Sequence, residues 1–235
     1  METRESVNYV FRYNKDSIAE KYIDKIIETQ EFCYEFICKY LDVKMNGKIH
    51  CYLCESPEQV GKIYGDNEPC NAFASKDNKI YVVYNEDIKC IGFHEDAHII
   101  SYNTLGIPNI AFLREGLAMF FDKGYLGIDN YSWVRYFLSK NRYISLNELI
   151  VNEKFHKTSH FITYTIAGAF VEYLICIFGV NKFKEFYSNV DNNFEECFKK
   201  TFKVSLKDFE EKFKKYVNIL SRNKDIEKLI EDELI

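Results

Sequence analysis

The chain has no block of basic residues, no long apolar run, no internal repeat and no low-complexity segment. A net charge of −5 without a basic block argues against nucleic acid as the main partner. Charged residues interrupt the sequence throughout, and no run approaches the roughly 18 apolar residues of a transmembrane helix, so we expect no membrane span. The charged start, residues 1–6, lacks the apolar segment of a signal peptide. These absences predict a globular protein of the cytoplasm.

The composition allows a sizeable core. The 235 residues, 47% hydrophobic and 29% charged, can form one large domain or two small lobes. A chain of this length needs no disulfides, so we expect the eight cysteines to be reduced, structural thiols in a reducing compartment. Cys176 lies in an apolar run, and we expect it to be buried.

Histidine is scarce, with five residues, yet residues 94–98 read H-E-x-x-H within a helix predicted over roughly 87–103. Residues four apart on a helix lie on one face, one turn apart. His94 and His98 can therefore bind one metal ion through their ring nitrogens, and Glu95 can reach a metal-bound water. This is the layout of a zinc peptidase, with two ligands and a general base on one helix.

A third ligand is available downstream. A second apolar helix pattern, over roughly 109–123, follows a stop at Gly106 and a restart at Pro108. Two helices joined by a short turn can place Glu115 opposite the two histidines. Two His and one Glu with an open fourth position form a catalytic zinc set, whereas a structural site is normally closed by four protein ligands. We therefore expect one Zn²⁺ per chain.

These residues carry a family resemblance. The sequence of residues 94–98, followed by F-L-R-E-G-L-A over residues 112–118 with Pro108 just upstream, resembles the gluzincin metallopeptidases. Within them it is most similar to the peptidase MA-like group, and more distantly to the aminopeptidase N type. In that group the third ligand lies in a Pro-x-x-aromatic-Leu-x-Glu-Gly-Leu-Ala context.

The resemblance is specific over residues 93–122 and weaker over roughly 70–220. It implies a hydrolase, a zinc metallopeptidase that cleaves peptide bonds in a peptide or protein substrate. The small side chains of Gly116 and Ala118 are expected to let the two ligand-bearing helices approach closely.

The chemistry assigns further roles. Zinc-bound water can lose a proton near neutral pH, and Glu95 is the candidate base that passes this proton to the leaving amine. Hydrolysis also needs a donor for the developing oxyanion. In the related enzymes this is a Tyr or His on a later helix, and Tyr164 begins a run, residues 164–174, that resembles that helix. His160 is the alternative donor, and Tyr164 could instead be a core aromatic.

Three residues outside the ligand set complete the prediction. Metal-bound histidines usually donate their other ring proton to an acceptor, and Asp122, two turns beyond Glu115 on the same helix face, is the candidate. The alternative for Asp122 is a surface charge at a helix end. Asp96 is expected to point outward, and His50 to be a strand surface residue rather than a ligand.

A strand is predicted over 79–84, just before the motif helix. In gluzincin-like enzymes an edge strand here lies along the cleft and binds an extended substrate as an added strand. The resemblance assigns that role to four residues: Ile80, Tyr81, Val82 and Val83. The alternative is an ordinary sheet edge.

Periodicity predicts the remaining elements. The first part of the chain shows a helix over 16–41, a strand over 48–54, a helix near 57–64 and a strand over 71–75. The later part shows helices over 131–140, 145–150, 162–178, 180–188, 191–200 and 205–220.

This order predicts an α+β fold, with a small N-terminal strand-containing part, an edge strand beside the site and a mainly helical part carrying the motif helix. The expected divisions are residues 1–86, a helical core over 87–222 and a charged tail over 223–235, together one compact catalytic unit.

Three other interpretations stay open. The protein could be a regulatory protease with one narrow target, or a non-catalytic zinc-containing binding module. It could also be a helical protein in which the motif arose by chance. The intact Glu95 argues against the binding module, because a scaffold does not need a base at that position.

Overall fold

The structure is a computed structural model that describes residues 1–190 and 193–234. The chain divides into two compact units, Met1–Thr104 and Leu105–Ile235. The first contains a five-stranded sheet and the second is mainly helical, so the predicted α+β class is confirmed. The motif helix lies in the first unit, together with the sheet.

The sheet of the first unit has parallel inner strands and antiparallel outer ones. Its strands are β1 (Glu2–Glu5), β2 (Tyr9–Tyr13), β3 (Ile49–Cys54), β4 (Ala72–Ser75) and β5 (Lys79–Val83). Their order is β1-β2-β3-β5-β4, with β3 parallel to β2 and β5. The helices of this unit are α1 (Ile18–Lys21), α2 (Ile23–Leu41), α3 (Pro57–Tyr64) and α4 (Phe93–Thr104).

Alternation along the strands gives this sheet two different faces. Phe11, Cys51 and Ile80 are paired neighbours on one face, and all three are buried. Helices α2 and α4 pack together on that face. On the other face Tyr52 and Tyr81 are half-buried and stack with ring centroids 4.6 Å apart. The buried face therefore brings strand β2 and helix α2 against the motif helix.

The predicted strands and helices of the first unit are largely confirmed. The structure differs at the start of the motif helix, which begins at Phe93 rather than near residue 87. The reason is a turn at Asn85, whose Oδ1 accepts hydrogen bonds from the backbone N–H groups of Asp87 and Ile88. Such side-chain-to-backbone bonds compete with helix formation.

Helix α9 is central to the second unit, and α5, α6 and α10 pack on it. The helices are α5 (Ala111–Asp122), α6 (Asn130–Ser139), α7 (Leu146–Leu149), α8 (Asn152–Lys157), α9 (His160–Phe178), α10 (Val180–Asn189), α11 (Phe194–Phe202), α12 (Leu206–Ile219) and α13 (Lys224–Glu233). A hairpin of β6 (Gly124–Tyr125) and β7 (Ile128–Asp129) follows α5. Residues 191 and 192, at the start of the helix predicted over 191–200, lie outside the described residues.

Among the described helices, α9 alone is long and apolar enough to cross a membrane, with a mean hydropathy of 1.8. Because 61% of that stretch is buried inside the protein, it also fits the core helix of a globular unit, and it is weak evidence for a span. Its last turn leaves the core: Ile177 is 54% exposed and Cys176 is exposed too. The expectation that Cys176 is buried was therefore wrong.

The predicted charged tail forms helix α13 and packs on α6. Ile230 is fully buried in a cluster with Trp133 and Phe137. Arg222, just before the helix, donates two hydrogen bonds to the carboxylate of Glu227 at 2.6 and 2.7 Å. Ile230, together with the partly buried Ile226 and Leu234, therefore anchors a segment whose other residues are mostly charged.

Candidate metal site

Helix α4 presents the two histidines of the motif. Its apolar residues Ile99 and Ile100 are buried, which fixes the helix against the rest of the first unit. The rings of His94 and His98 lie with centroids 5.0 Å apart and planes at 80°. His98 is only 6% exposed, while His94 is half-buried. The four-residue spacing thus brings two ring nitrogens together, as the sequence predicted.

Glu115 joins the two histidines. One ligand atom of each of the three residues lies within 4.8 Å of the others, and Glu115 is half-buried. Among the described residues, this is the one group of three or more His, Cys, Asp and Glu side chains that could hold a metal ion. Two imidazole nitrogens and one carboxylate oxygen fit the ligand chemistry of a catalytic zinc ion.

The half-buried Glu95 lies between the two histidines in sequence, and its charge acts on two cysteines. Burial, followed by the charge of the Glu95 carboxylate, raises the pKa of Cys90 to about 11. Burial and Glu95 also raise the pKa of Cys70. Both side chains are therefore thiols at neutral pH, with little of the thiolate that reacts or binds metal. No sequence pattern links these two cysteines to the motif.

Asp96 is fully buried, so the expectation that it points outward was wrong. Its Oδ2 atom accepts hydrogen bonds from the Tyr9 hydroxyl at 2.5 Å and from Gln30 Nε2 at 3.0 Å. Burial raises its pKa well above the ordinary value, and these two hydrogen bonds oppose the rise. We call Tyr9, Gln30 and Asp96 the Asp96 network. Sequence did hold a signal: Asp96 is three and four residues before Ile99 and Ile100, on the helix face that is buried.

Gln30 also binds the residue that precedes α4. Its Oε1 accepts a hydrogen bond from the Gly92 N–H at 2.6 Å, and its Nε2 lies 3.4 Å from the Gly92 carbonyl oxygen. Gly92 has a φ of +132°, a conformation that side chains other than glycine rarely adopt. A single buried amide therefore fixes the entry of the chain into the motif helix.

Asn152 binds the first turn of helix α5 in a similar way. Its Oδ1 accepts a hydrogen bond from the Ala111 N–H at 2.8 Å, and its Nδ2 donates to the Asn109 carbonyl at 2.6 Å. An N–H of the first turn has no partner within the helix, so this side chain satisfies it. Asn152 therefore stabilises the start of the helix that carries Glu115.

Gly116 allows α5 to contact α9 closely. A Cβ at this position would lie 2.9 Å from the Ala167 carbonyl oxygen and 2.7 Å from a methyl carbon of Val171. The sequence had predicted a different partner for Gly116, the motif helix. The described contact is with α9, because the small residue faces the most buried helix of its own unit.

Tyr164, the predicted oxyanion donor, is half-buried in α9 and held by other rings. His160 stacks on it with centroids 4.7 Å apart, and Phe155 with centroids 6.0 Å apart. Tyr164 is three and seven residues before Ala167 and Val171, so it lies on the stripe of α9 that faces α5. His160, the alternative donor, is the first residue of α9 and is exposed.

Asp122 is the last residue of α5 and is exposed. This placement agrees with both sequence interpretations, the acceptor for a ligand histidine and the surface charge. The role of Asp122 therefore stays a prediction.

The predicted edge strand was placed wrongly. Strand β5, with Ile80, Tyr81, Val82 and Val83, pairs with β3 on one side and with β4 on the other. The edge strand on this side of the sheet is β4, and helix α4 packs on it. Strand order depends on pairing between distant segments, and the sequence pattern of one strand does not reveal its neighbours.

No family model matches the chain, and no curated protein matches it. The resemblance to the gluzincins therefore rests on the residues quoted from the sequence and stays a prediction.

Proposed function

We propose that this protein is a zinc-dependent peptidase that hydrolyses peptide bonds. The observation that supports this proposal most strongly is the convergence of His94, His98 and Glu115, with one ligand atom of each within 4.8 Å of the others. Three protein ligands leave a coordination position open, which is typical of catalytic rather than structural zinc. Glu95, adjacent in sequence to the first ligand, supplies the carboxylate that such chemistry requires.

Zinc, when bound, makes water acidic enough to act as a nucleophile near neutral pH and polarises the substrate carbonyl. The Glu95 carboxylate takes the proton of the attacking water and returns it to the amine that leaves. Glu95 is half-buried, which keeps its carboxylate accessible to water and substrate.

Tyr164 is our proposed donor to the developing oxyanion. Two facts support it: the ring stacks on His160 and Phe155, and it lies on the stripe of α9 that faces α5. A fixed donor contributes more than a mobile one, because no reorganisation is needed during the reaction. His160 remains the alternative donor.

We propose the edge strand β4 as the surface that binds extended substrate. Val83 donates a backbone hydrogen bond to Asn71, so alternation directs the N–H and C=O groups of Ala72 and Ala74 away from β5. Helix α4 packs on this strand, which places the exposed edge beside the motif helix. A peptide can add to such an edge through backbone hydrogen bonds, with little dependence on its sequence.

A degenerate peptide library tests the proposal. The zinc-loaded wild type is expected to cleave it, and Glu95→Gln is expected to keep its zinc and lose about 100- to 10,000-fold of turnover. Glu28→Gln, an exposed glutamate on α2, is the matched control and is expected to behave as wild type. Equal turnover of Glu95→Gln and wild type would exclude the general-base role.

The same experiment separates the alternatives. A narrow regulatory protease would leave the library intact yet cleave one cellular protein, and only with Glu95 present. A non-catalytic binding module would hold zinc and show no difference between Glu95→Gln and wild type in any cleavage assay.

A further inference from the structure

Within the first unit, the Asp96 network encloses the segment that carries His94 and Glu95. Gln30 holds Gly92 at one end of this segment and Asp96 at the other. The three buried side chains of the network are 0% exposed at Tyr9, 2% at Gln30 and 0% at Asp96. His94 and Glu95 thus lie between two points fixed by a single side chain.

The geometry points to Gln30 as a positioning residue: through Gly92 and Asp96, it sets the direction in which the first turn of α4 presents His94 and Glu95. This inference rests on the proposed zinc peptidase function. Gln30 acts through the backbone and through Asp96.

Stability alone is a poor explanation for this network. Burying a carboxyl group is costly unless its polar atoms are bonded, and Asp96 Oδ1 meets no hydrogen-bond donor among the described residues. An apolar residue at this position could pack under α2 without that cost. A buried polar network does, however, select one geometry, because any shift of the helix breaks its bonds. This property matters most where ligand and base must be held in place.

The orientation of the Gln30 amide is also specific. Its oxygen faces an N–H donor at Gly92, and its nitrogen faces an acceptor at Asp96 Oδ2. Methionine has a similar length but can make neither bond, so Gln30→Met removes the hydrogen bonds to Gly92 and Asp96 with little change in side-chain volume. Asp96→Asn keeps an oxygen that can accept from both Tyr9 and Gln30, and it is therefore the conservative variant that should preserve the geometry.

The second unit contains a matched control. The Tyr143 hydroxyl donates to the buried Glu210 carboxylate at 3.0 Å, as Tyr9 does to Asp96. Tyr143→Phe removes a partly buried tyrosine–carboxylate bond that does not involve a ligand-bearing helix. It therefore reports what a general loss of stability does to zinc binding and turnover.

The test compares zinc affinity, by chelator competition, and kcat and KM on a cleaved peptide. Gln30→Met is expected to lower zinc affinity about tenfold and kcat at saturating zinc on the order of tenfold to a hundredfold, with KM within about threefold. Asp96→Asn and Tyr143→Phe are expected to remain within about threefold of wild type. If Gln30→Met loses as much stability as Tyr143→Phe but keeps the zinc affinity and kcat of wild type, the inference is overturned.

Failure of the proposed function is a separate result. If the wild type binds zinc but cleaves no peptide, zinc affinity alone decides the inference. If the wild type binds no zinc, amide hydrogen exchange over residues 92–96 decides it. Gln30→Met should then accelerate exchange there at least about tenfold more than Tyr143→Phe does, and equal rates would overturn the inference.

Discussion

The two helices that carry the three candidate metal ligands are held in different ways. In the first unit, α4 is fixed at its start by buried polar contacts from Gln30 and Tyr9. In the second unit, α5 is held along its length by close packing on α9, where Gly116 leaves no room for a side chain. Polar contacts set the direction of a helix and are lost when one bonded atom is removed. Close packing is instead disrupted when an atom is added.

The largest expected effect comes from removing a ligand from either helix. His98→Ala and Glu115→Ala are each expected to lower zinc affinity by more than about 100-fold, since even outer partners of zinc ligands are worth roughly 10- to 100-fold. Chelator competition measures both variants. Loss of affinity in one variant alone would show that the other helix contributes no ligand.

Adding a methyl group to α5 tests the packing side of the comparison. Gly116→Ala places a carbon 2.9 Å from a backbone oxygen of α9, so it should lower the free energy of unfolding by about 1–3 kcal/mol. Urea denaturation measures the loss. Unchanged stability would show that α9 can shift away from α5 without cost.

Removing a polar contact from α5 should lower zinc affinity less than removing one from α4. Asn152→Ala deletes the bond to the first turn of α5 and should cost about 1 kcal/mol of stability. Zinc affinity should stay within about twofold, because packing on α9 still holds Glu115 in place. A tenfold loss of affinity, equal to that expected for Gln30→Met, would remove the distinction between the two helices.

The smallest expected effect is on the stability of the protein at alkaline pH. Burial, the Glu210 charge and the hydrogen bond to Glu210 raise the pKa of Tyr143 above its ordinary value near 10. The unfolded chain therefore loses this proton first, and stability that is present below about pH 10 falls as the pH rises further. Denaturation curves from pH 9 to 11 should decline more steeply for wild type than for Tyr143→Phe. Parallel curves would contradict the assignment.

The sequence predicted those parts of the site that depend on local spacing. His94 and His98 follow from helical geometry, and Glu115 from a second helix after a short turn. Strand β1 and helix α8 were not predicted, because their short, polar patterns carry little periodic signal. Strand β2 was missed although it is mostly apolar, because a run of five residues is too short to show a period.

Contacts between distant segments could not be predicted. Tyr9 and Asp96 are 87 residues apart, and no local pattern links them. The same limitation explains the misplaced edge: β4 and β5 form a local hairpin, but β5 is the strand that pairs with the distant strand β3, which leaves β4 at the edge. Gly116 was correctly seen as a point of close approach, while its partner on α9 depended on packing within the unit.

The most direct test of the central claim is the metal content of purified wild type and His94→Ala by mass spectrometry. The proposed function predicts about one zinc per wild-type chain and clearly less in the variant, because a catalytic site needs all three protein ligands. No metal in either protein, even after zinc has been offered, would contradict the peptidase proposal.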